Sequence, residues 1–512
     1  MKILPAAALP ALDAATCAAQ NISSGALMDR AAGAVVEAFF RLFDLGDAPD
    51  ILVLGGPGNN GGDGLAIARY LHLAGYAVRV ALLPAARYSA DYQRQRPRLP
   101  AAVPVAAIDP ENLPDIAPTT VVVDALFGTG LRRPLAGLAA AVVAHLHHAA
   151  PAAVVAVDVP SGLFADAPQP ADSPIVAARF TLSFGGPKLA FLLPQNAAFV
   201  GEWQVLDIGL DPPAIAQTAT DWHLTTPADL MGSLPRRARF SHKGTFGHGL
   251  LLAGQRGQLG AAVLAAGAAL HGGIGLLTAA VPGGGYAILQ TAVPEALCRP
   301  DPHPDHLTEL PDLAPYQAVA LGPGLGQHPA ARALLEALLR AAAPTPARPR
   351  PLPLVLDADA LNLLGRHREL LDLLPPDTLL TPHPKEFERL TEPARDDYHR
   401  LELLQDFARR TRCLVLLKGA YSALATPAGA LHFNATGNPG LATGGSGDTL
   451  TGLLLALRAD ARLPAFAAAR LGVFAHGRAA DLAAAALGSE IGLRPSEVQR
   501  YIGRALEEAV GG

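Results

Sequence analysis

The sequence predicts an α/β protein of two domains built on parallel sheets, and three observations carry that expectation. Short apolar, β-branched runs end in aspartate or glycine and alternate with helical periodicity, the pattern of strands buried on both faces. Two glycine-rich loops carrying an aspartate at or next to their end, GPGNNGGDG over 56–64 and TGGSGD over 443–448, lie near opposite ends of the chain. At 512 residues the chain has length for about two to four cores.

The elements follow in order. Residues 24–45 space apolar side chains at helical period, so a helix precedes the first strand, Ile51 to Leu54. A loop over 55–63, a helix over 64–74 and a strand over 77–83 come next. The runs Thr120 to Asp124 and Ala153 to Asp158 read as further buried strands. Periodicity then weakens and prolines gather, which sets domain limits of 1–215 and 236–512 with a linker over 216–235. Beyond it, Leu250 to Ala253, Ala318 to Leu321, Leu354 to Asp357, Thr378 to Leu380 and Cys413 to Leu417 are strand candidates. The proline-rich stretch 341–353 is a surface loop, since its prolines suit neither helix nor strand.

Composition narrows the function. Charged residues make up 17% and the net charge is −5, so no basic excess invites nucleic acid or an anionic membrane. The basic clusters at Arg94 to Arg98, Arg236 to Lys243 and Arg348 to Arg350 are short, solvated runs. Three widely spaced cysteines, Cys17, Cys298 and Cys413, fit a reducing compartment and no zinc pattern. Pro5, Pro10 and Asp13 interrupt the Ala-rich start, and no apolar stretch reaches membrane-spanning length unbroken, so the expected location is cytoplasmic.

Gly56, Gly58 and Gly61 have dinucleotide-fingerprint spacing after a strand and before a helix. A redox dinucleotide site wants an acidic residue about 20 positions on; none occurs between Asp63 and Asp91. Asn59, Asn60 and Asp63 load this loop with oxygen and nitrogen groups instead. Asp124 and Asp158 also end strands, so with Asn60 and Ser161 they can face one crevice and hold a hard cation; alternatively each aspartate caps a turn. In the second half, Gly445 to Gly447 offer N–H groups at a helix start, with Asp448 beside them as a proton acceptor. No Walker A sequence is present, and the same motif also suits a plain helix cap.

Residues 12–210 resemble the NAD(P)H-hydrate epimerase domain, through GNNGGDG, VDALFGTGL, VDVPSGL and the later FGGPK ending at Lys188. The resemblance implies that Asn59, Asn60, Gly61, Gly62 and Asp63, together with Gly128, Thr129, Gly130, Leu131, Arg132, Arg133 and Pro134, hold a hydrated dinucleotide. It places Asp158 at the reacting ring and Asn60, Asp124 and Ser161 on K⁺. Residues 236–508 resemble the ribokinase-like, ADP-dependent NAD(P)H-hydrate dehydratase domain, through HKG at 242, GAA at 260, PE at 294, GPGLG, DADALN, TPHP, KGA, NPGLATGGSGD and HG at 476. That resemblance implies hydrate contacts from Ala261, Gly324, His383 and Asp448. It assigns nucleotide contacts to Lys418, Gly419, Ala420, Tyr421, Ser422 and Gly447, with Asp448 as base and Mg²⁺ accompanying ADP. The fold class implied is a Rossmann-like three-layer sandwich followed by a ribokinase-like α/β domain. The partners implied are hydrated NADH and NADPH and ADP, in a homo-oligomer. The competing reading is a ribokinase-like small-molecule kinase carrying a non-catalytic N-terminal ligand-sensing or scaffold domain.

Overall fold

The structure, a computed structural model, describes residues 1–43, 50–346 and 348–511. Two compact units divide between Trp222 and His223; Met1 belongs with the second and residues 396–398 with the first.

In the first unit, seven strands form a parallel sheet: β1 (Ile51–Gly55), β2 (Val78–Leu82), β3 (Val105–Ala107), β4 (Val121–Ala125), β5 (Ala153–Val157), β6 (Phe180–Phe184) and β7 (Glu202–Leu206), in the order β3-β2-β1-β4-β5-β6-β7. The chain winds outward through β2 and β3, then returns to β4 on the other side of β1. That reversal opens a crevice at the carboxyl ends of β1 and β4, where the first glycine loop and Asp124 both sit.

Alternation within single strands builds the three layers. Ile51 and Val53 pack with Val35 and Phe39 of α2 (Ser24–Leu42) and Leu65 of α3 (Asn59–Leu73). Leu52 and Leu54 point the other way, onto Val142, Val143 and Leu146 of α4 (Gly137–Ala149). Each buried aliphatic side chain contributes roughly 1.5–3 kcal/mol, so both faces of the sheet are secured. A further helix, α1 (Leu9–Gln20), precedes α2.

The second unit holds a sheet of ten strands: β8 (Trp222–Leu224), β9 (His248–Leu252), β10 (Leu276–Val281), β11 (Leu297–Pro300), β12 (Ala318–Leu321), β13 (Leu354–Leu356), β14 (Leu379–Leu380), β15 (Leu414–Leu417), β16 (Ala423–Ala425) and β17 (Leu431–Phe433). Their order is β11-β10-β9-β12-β13-β14-β15-β16-β17-β8. The pairs from β11 to β15 are parallel, while β16 runs antiparallel to both β15 and β17. The order reverses here too, between β9 and β12. α5 (Leu259–His271) leaves β9, α6 (Pro384–Leu390) follows β14, and α7 (Ser446–Ala459) and α8 (Ala465–Leu487) complete the cover.

Four expectations need adjustment. The helix expected over 24–45 ends at Leu42, and residues 44 and 45 lie outside the described residues. α3 begins at Asn59, not 64, because Gly58 in extended backbone serves as its N-cap and the glycines after it are packing positions inside the helix. The expected linker is ordered: helix Pro212–Gln217 runs into its start and β8 lies within it, with Thr225 N–H donating to Phe433 O at 2.8 Å. The loop expected over 341–353 starts after a helix that runs to Ala342, and residue 347 lies outside the described residues.

Candidate functional site

The first glycine loop is shaped by contact, not by flexibility. A Cβ on Gly56 would lie 1.7 Å from Leu126 O, and one on Gly61 would lie 1.7 Å from Gly56 O. β1, α3 and the loop after β4 therefore meet backbone to backbone, which only glycine allows. Gly58, at the helix N-terminus, has open space around it.

That contact brings Asn59, Asn60 and Asp63 to a cavity of about 830 Å³. Gly128 to Arg132 form its second wall, and Asp158 and Asp13 also reach it. Gly61 and Gly62 face the packing instead, and Arg133 and Pro134 are exposed beyond the wall. Asp124 and Ser161 lie behind the cavity, each fully buried. Ser161 donates to Asp124 through N–H at 2.7 Å and through Oγ at 2.6 Å, and Phe127 N–H donates to Ser161 Oγ at 2.8 Å. Asp124 forms no ion pair among the described residues; burial pushes its carboxyl up to about 6 against these hydrogen bonds. Asn60 packs beside Gly128, and its buried amide nitrogen has no hydrogen-bond partner among the described residues.

Asp158 sits in left-handed backbone, φ 67°, just past β5. Its carboxylate pairs with Lys188 Nζ at 2.9 Å, a side chain 2% exposed, and accepts from Ser183 Oγ at 3.2 Å. Lys188 also donates to Ser183 Oγ at 2.9 Å and Phe184 O at 2.7 Å. Asp13 and the pairing of Lys188 with Asp158 escape a reading by motif. Lys188 ends FGGPK, which is a signal, but nothing in that string says which of the distant aspartates it meets.

In the second unit Gly445 takes φ 96° and caps α7, so the N–H groups of its first turn open outward with Asp448 among them. Beneath lies a buried set: Lys418 Nζ donates to Asp357 Oδ1 at 2.8 Å, and Thr451 Oγ1 donates to Asp357 Oδ2 at 2.7 Å. A Cβ on Gly447 would lie 3.4 Å from Lys418 Nζ, so the glycine turn rests directly on this ion pair. Burial alone would pull the Lys418 ammonium down; Asp357, Glu386 and Asp448 outweigh it and hold it above its ordinary value. Burial, then Asp357, pushes Asp448 up to about 6.

Gly324 and Ala261, expected to share a ligand, do meet: a Cβ on Gly324 would lie 3.1 Å from Ala261 Cβ. His383 has a second task. Its Nδ1 accepts from Lys385 N–H at 3.1 Å and Glu386 N–H at 3.3 Å, capping α6, which leaves Nε2 toward Glu386 at 3.4 Å. Burial and the nearby Lys418 depress its pKa and keep the ring neutral. Ser422 Oγ accepts from Gly419 N–H at 3.2 Å, closing the turn after Lys418. Thr451 and Glu386 were not singled out by sequence, since each is an ordinary helix residue until the fold sets it beside Asp357 or His383.

Two α/β units, each with a charged site at the carboxyl ends of its strands, define a two-domain α/β protein whose second half sets a glycine-capped helix start over a buried ion pair. A family model described as NAD(P)H-hydrate dehydratase matches residues 249–504, and one described as YjeF-related protein N-terminus matches 24–190. The bifunctional NAD(P)H-hydrate repair enzyme of Moorella thermoacetica is 37% identical, over 100% of this chain and 98% of its own. That of Synechocystis is 36% identical over 85% of this chain and 82% of its own. Among solved structures, a ribokinase-like superfamily protein from Enterococcus faecalis matches with a TM-score of 0.50 and 22% identity, over 57% of this chain and 98% of that one; it shows the fold of the C-terminal half. The chain belongs to the bifunctional NAD(P)H-hydrate repair enzymes.

Proposed function

We propose that the first unit interconverts the R and S epimers of hydrated NADH and NADPH, and that the second dehydrates the S epimer at the expense of ADP, releasing AMP and phosphate. The observation that carries the second assignment is the Gly445-capped turn set over the Lys418–Asp357 pair with Asp448 in its first helical turn.

Hydroxide is a poor leaving group, so the C6 hydroxyl needs conversion before it can depart. Asp448 accepts the hydroxyl proton while the oxygen attacks the terminal phosphorus of ADP, forming a phosphate ester and AMP. The ring-nitrogen lone pair then expels phosphate, and loss of the C5 proton restores the dihydropyridine. The N–H groups of the turn hold the phosphoryl oxygens. Lys418, fixed by Asp357, supplies positive charge beneath them. Around Asp448, however, Asp357 and Asp359 exceed the one ammonium, so a polyphosphate fits best as its Mg²⁺ complex, which neutralises the transferring group. A kinase for another alcohol would stop at the ester.

In the first unit, the buried, unpaired Asp124 with Ser161 and the underused Asn60 amide form an oxygen-rich donor set that fits K⁺; a flip of that amide presents its oxygen. Such an ion would offset the Asp124 charge and fix the loop 126–132. Asp158, clamped by Lys188, orients the nicotinamide end. The protein is read as a cytoplasmic homo-oligomer; the described residues contain no helix long and apolar enough to cross a membrane.

The test is incubation of the purified protein with mixed epimers of NADH hydrate plus ADP or ATP, following reduced-nicotinamide absorbance. Full recovery is expected. No recovery with either nucleotide overturns the dehydratase reading, and recovery that stops at one epimer's share overturns the epimerase reading.

A further inference from the structure

α1 carries Leu9, Asp13 and Cys17 at i, i+4 and i+8, and this face walls the first unit's cavity. Leu12 and Thr16, on the adjoining side of the same helix, are buried. The helix is anchored: Asp211 N–H donates to Thr16 Oγ1 at 3.0 Å and Gln20 Nε2 donates to Gly209 O at 2.6 Å. Asp13 is thereby held at the cavity with Asp63 and Asp158, and its carboxyl has no hydrogen-bond partner among the described residues.

We propose that Asp13 is the acid–base group of the first unit, protonating the C6 hydroxyl as it leaves one face of the ring and recovering the proton when water adds to the other. The proposal rests on the reading of this unit as an epimerase. In chemical terms, the ring-nitrogen lone pair forms the N1=C6 bond as the C6–O bond breaks, and the oxygen departs as water carrying the Asp13 proton. Water then adds to C6 from the opposite face, the nitrogen regains its pair, and the released proton returns to Asp13. No oxidant or reductant is needed. Once Asp13 has given its proton, its carboxylate and that of Asp158 add negative charge at the cavity, which favours the cationic ring.

Several other groups around the cavity are committed elsewhere, while the exposed Arg132 of the second wall adds a positive charge there. Asp158 is held by Lys188 at 2.9 Å. Burial, then Asp158, Asp13 and Asp91, push the Asp63 carboxyl up. Asp91 pairs with Arg94 at 2.8 Å, and Arg30 donates to Ile208 O at 2.9 Å. The Cys17 thiol is pushed up by burial and Asp13 and stays neutral. Asp13 itself is exposed at the cavity wall; desolvation by the surrounding protein, then Asp158, push it up to about 6 against Lys188, where a carboxyl exchanges its proton near neutral pH.

Asp13→Asn in the full chain is expected to slow epimerisation by roughly 100-fold or more while ADP-driven dehydration of the pure S hydrate continues, which reports that the chain has folded. Wild-type epimerisation should decline as pH rises above about 6, and in oxygen-18 water the label should enter the hydrate at the epimerisation rate. An Asp13→Asn protein that epimerises at the wild-type rate, or wild-type epimerisation without label, overturns the proposal. A wild-type protein that does not epimerise overturns the underlying reading instead. If Asp13→Asn loses dehydration as well, the wild-type label and pH profile decide.

Discussion

At the residue scale the proposed base, Asp448, would have to be ionised in a place that disfavours ionisation. Burial and Asp357 push its carboxyl up to about 6. A base works in its deprotonated form, so dehydration should rise with pH through about 6 and fall about tenfold per unit below it. Asp448→Asn keeps the shape and leaves the Lys418–Asp357 pair in place. It should cost roughly 10²–10⁴ in kcat with little change in KM for ADP, measured by single-epimer dehydration. The opposite slope is expected of epimerisation, so the two activities of one chain should separate on a pH axis. The placement of Asp448 in the first turn of a glycine-capped helix was legible in the sequence, because the glycines precede it directly. Asp13 was not: one aspartate in an Ala-rich segment gives no sign that the fold will carry it to a distant crevice.

At the scale of elements, the longest apolar runs were the legible ones. Ile51 to Leu54, Thr120 to Asp124 and Ala318 to Leu321 are central strands buried on both faces, and their composition says so. β3 and β7 lie at the sheet edges with half-exposed residues, which blurs their pattern, and β16 and β17 are too short to show a period. β10 merges into an Ala-rich background that reads equally as helix. The α3 start was misjudged for a related reason: glycines suggest a loop until the partner that demands them is known. That partner gives a prediction. In Gly61→Ala the new Cβ meets Gly56 O at 1.7 Å, so β1 and α3 have to separate. The cost should be about 1–3 kcal/mol, seen as a lower melting temperature of the first unit. Epimerisation should weaken while S-hydrate dehydration persists.

Across the whole molecule, each unit has its own sheet and its own core, so each activity can be removed without unfolding the other. Asp158 is the position at which to do it. Its φ of 67° excludes most side chains but suits asparagine, so Asp158→Asn removes the charge with little backbone strain. Lys188, 2% exposed, then loses its carboxylate but keeps Ser183 and Phe184 as acceptors, which limits the damage to the first unit. Given mixed epimers and excess ADP, the wild-type chain should restore all the reduced nicotinamide in one continuous course. The Asp158→Asn chain should restore the S share at the wild-type rate and then slow to the rate at which the R epimer converts unaided. Adding a catalytic amount of Asp448→Asn protein, whose first unit is intact, should restore the full course. A variant that still recovers everything at the wild-type rate would show that Asp158 has no part in epimerisation. A variant that recovers nothing would show that the second unit depends on the first, against the independence of their cores.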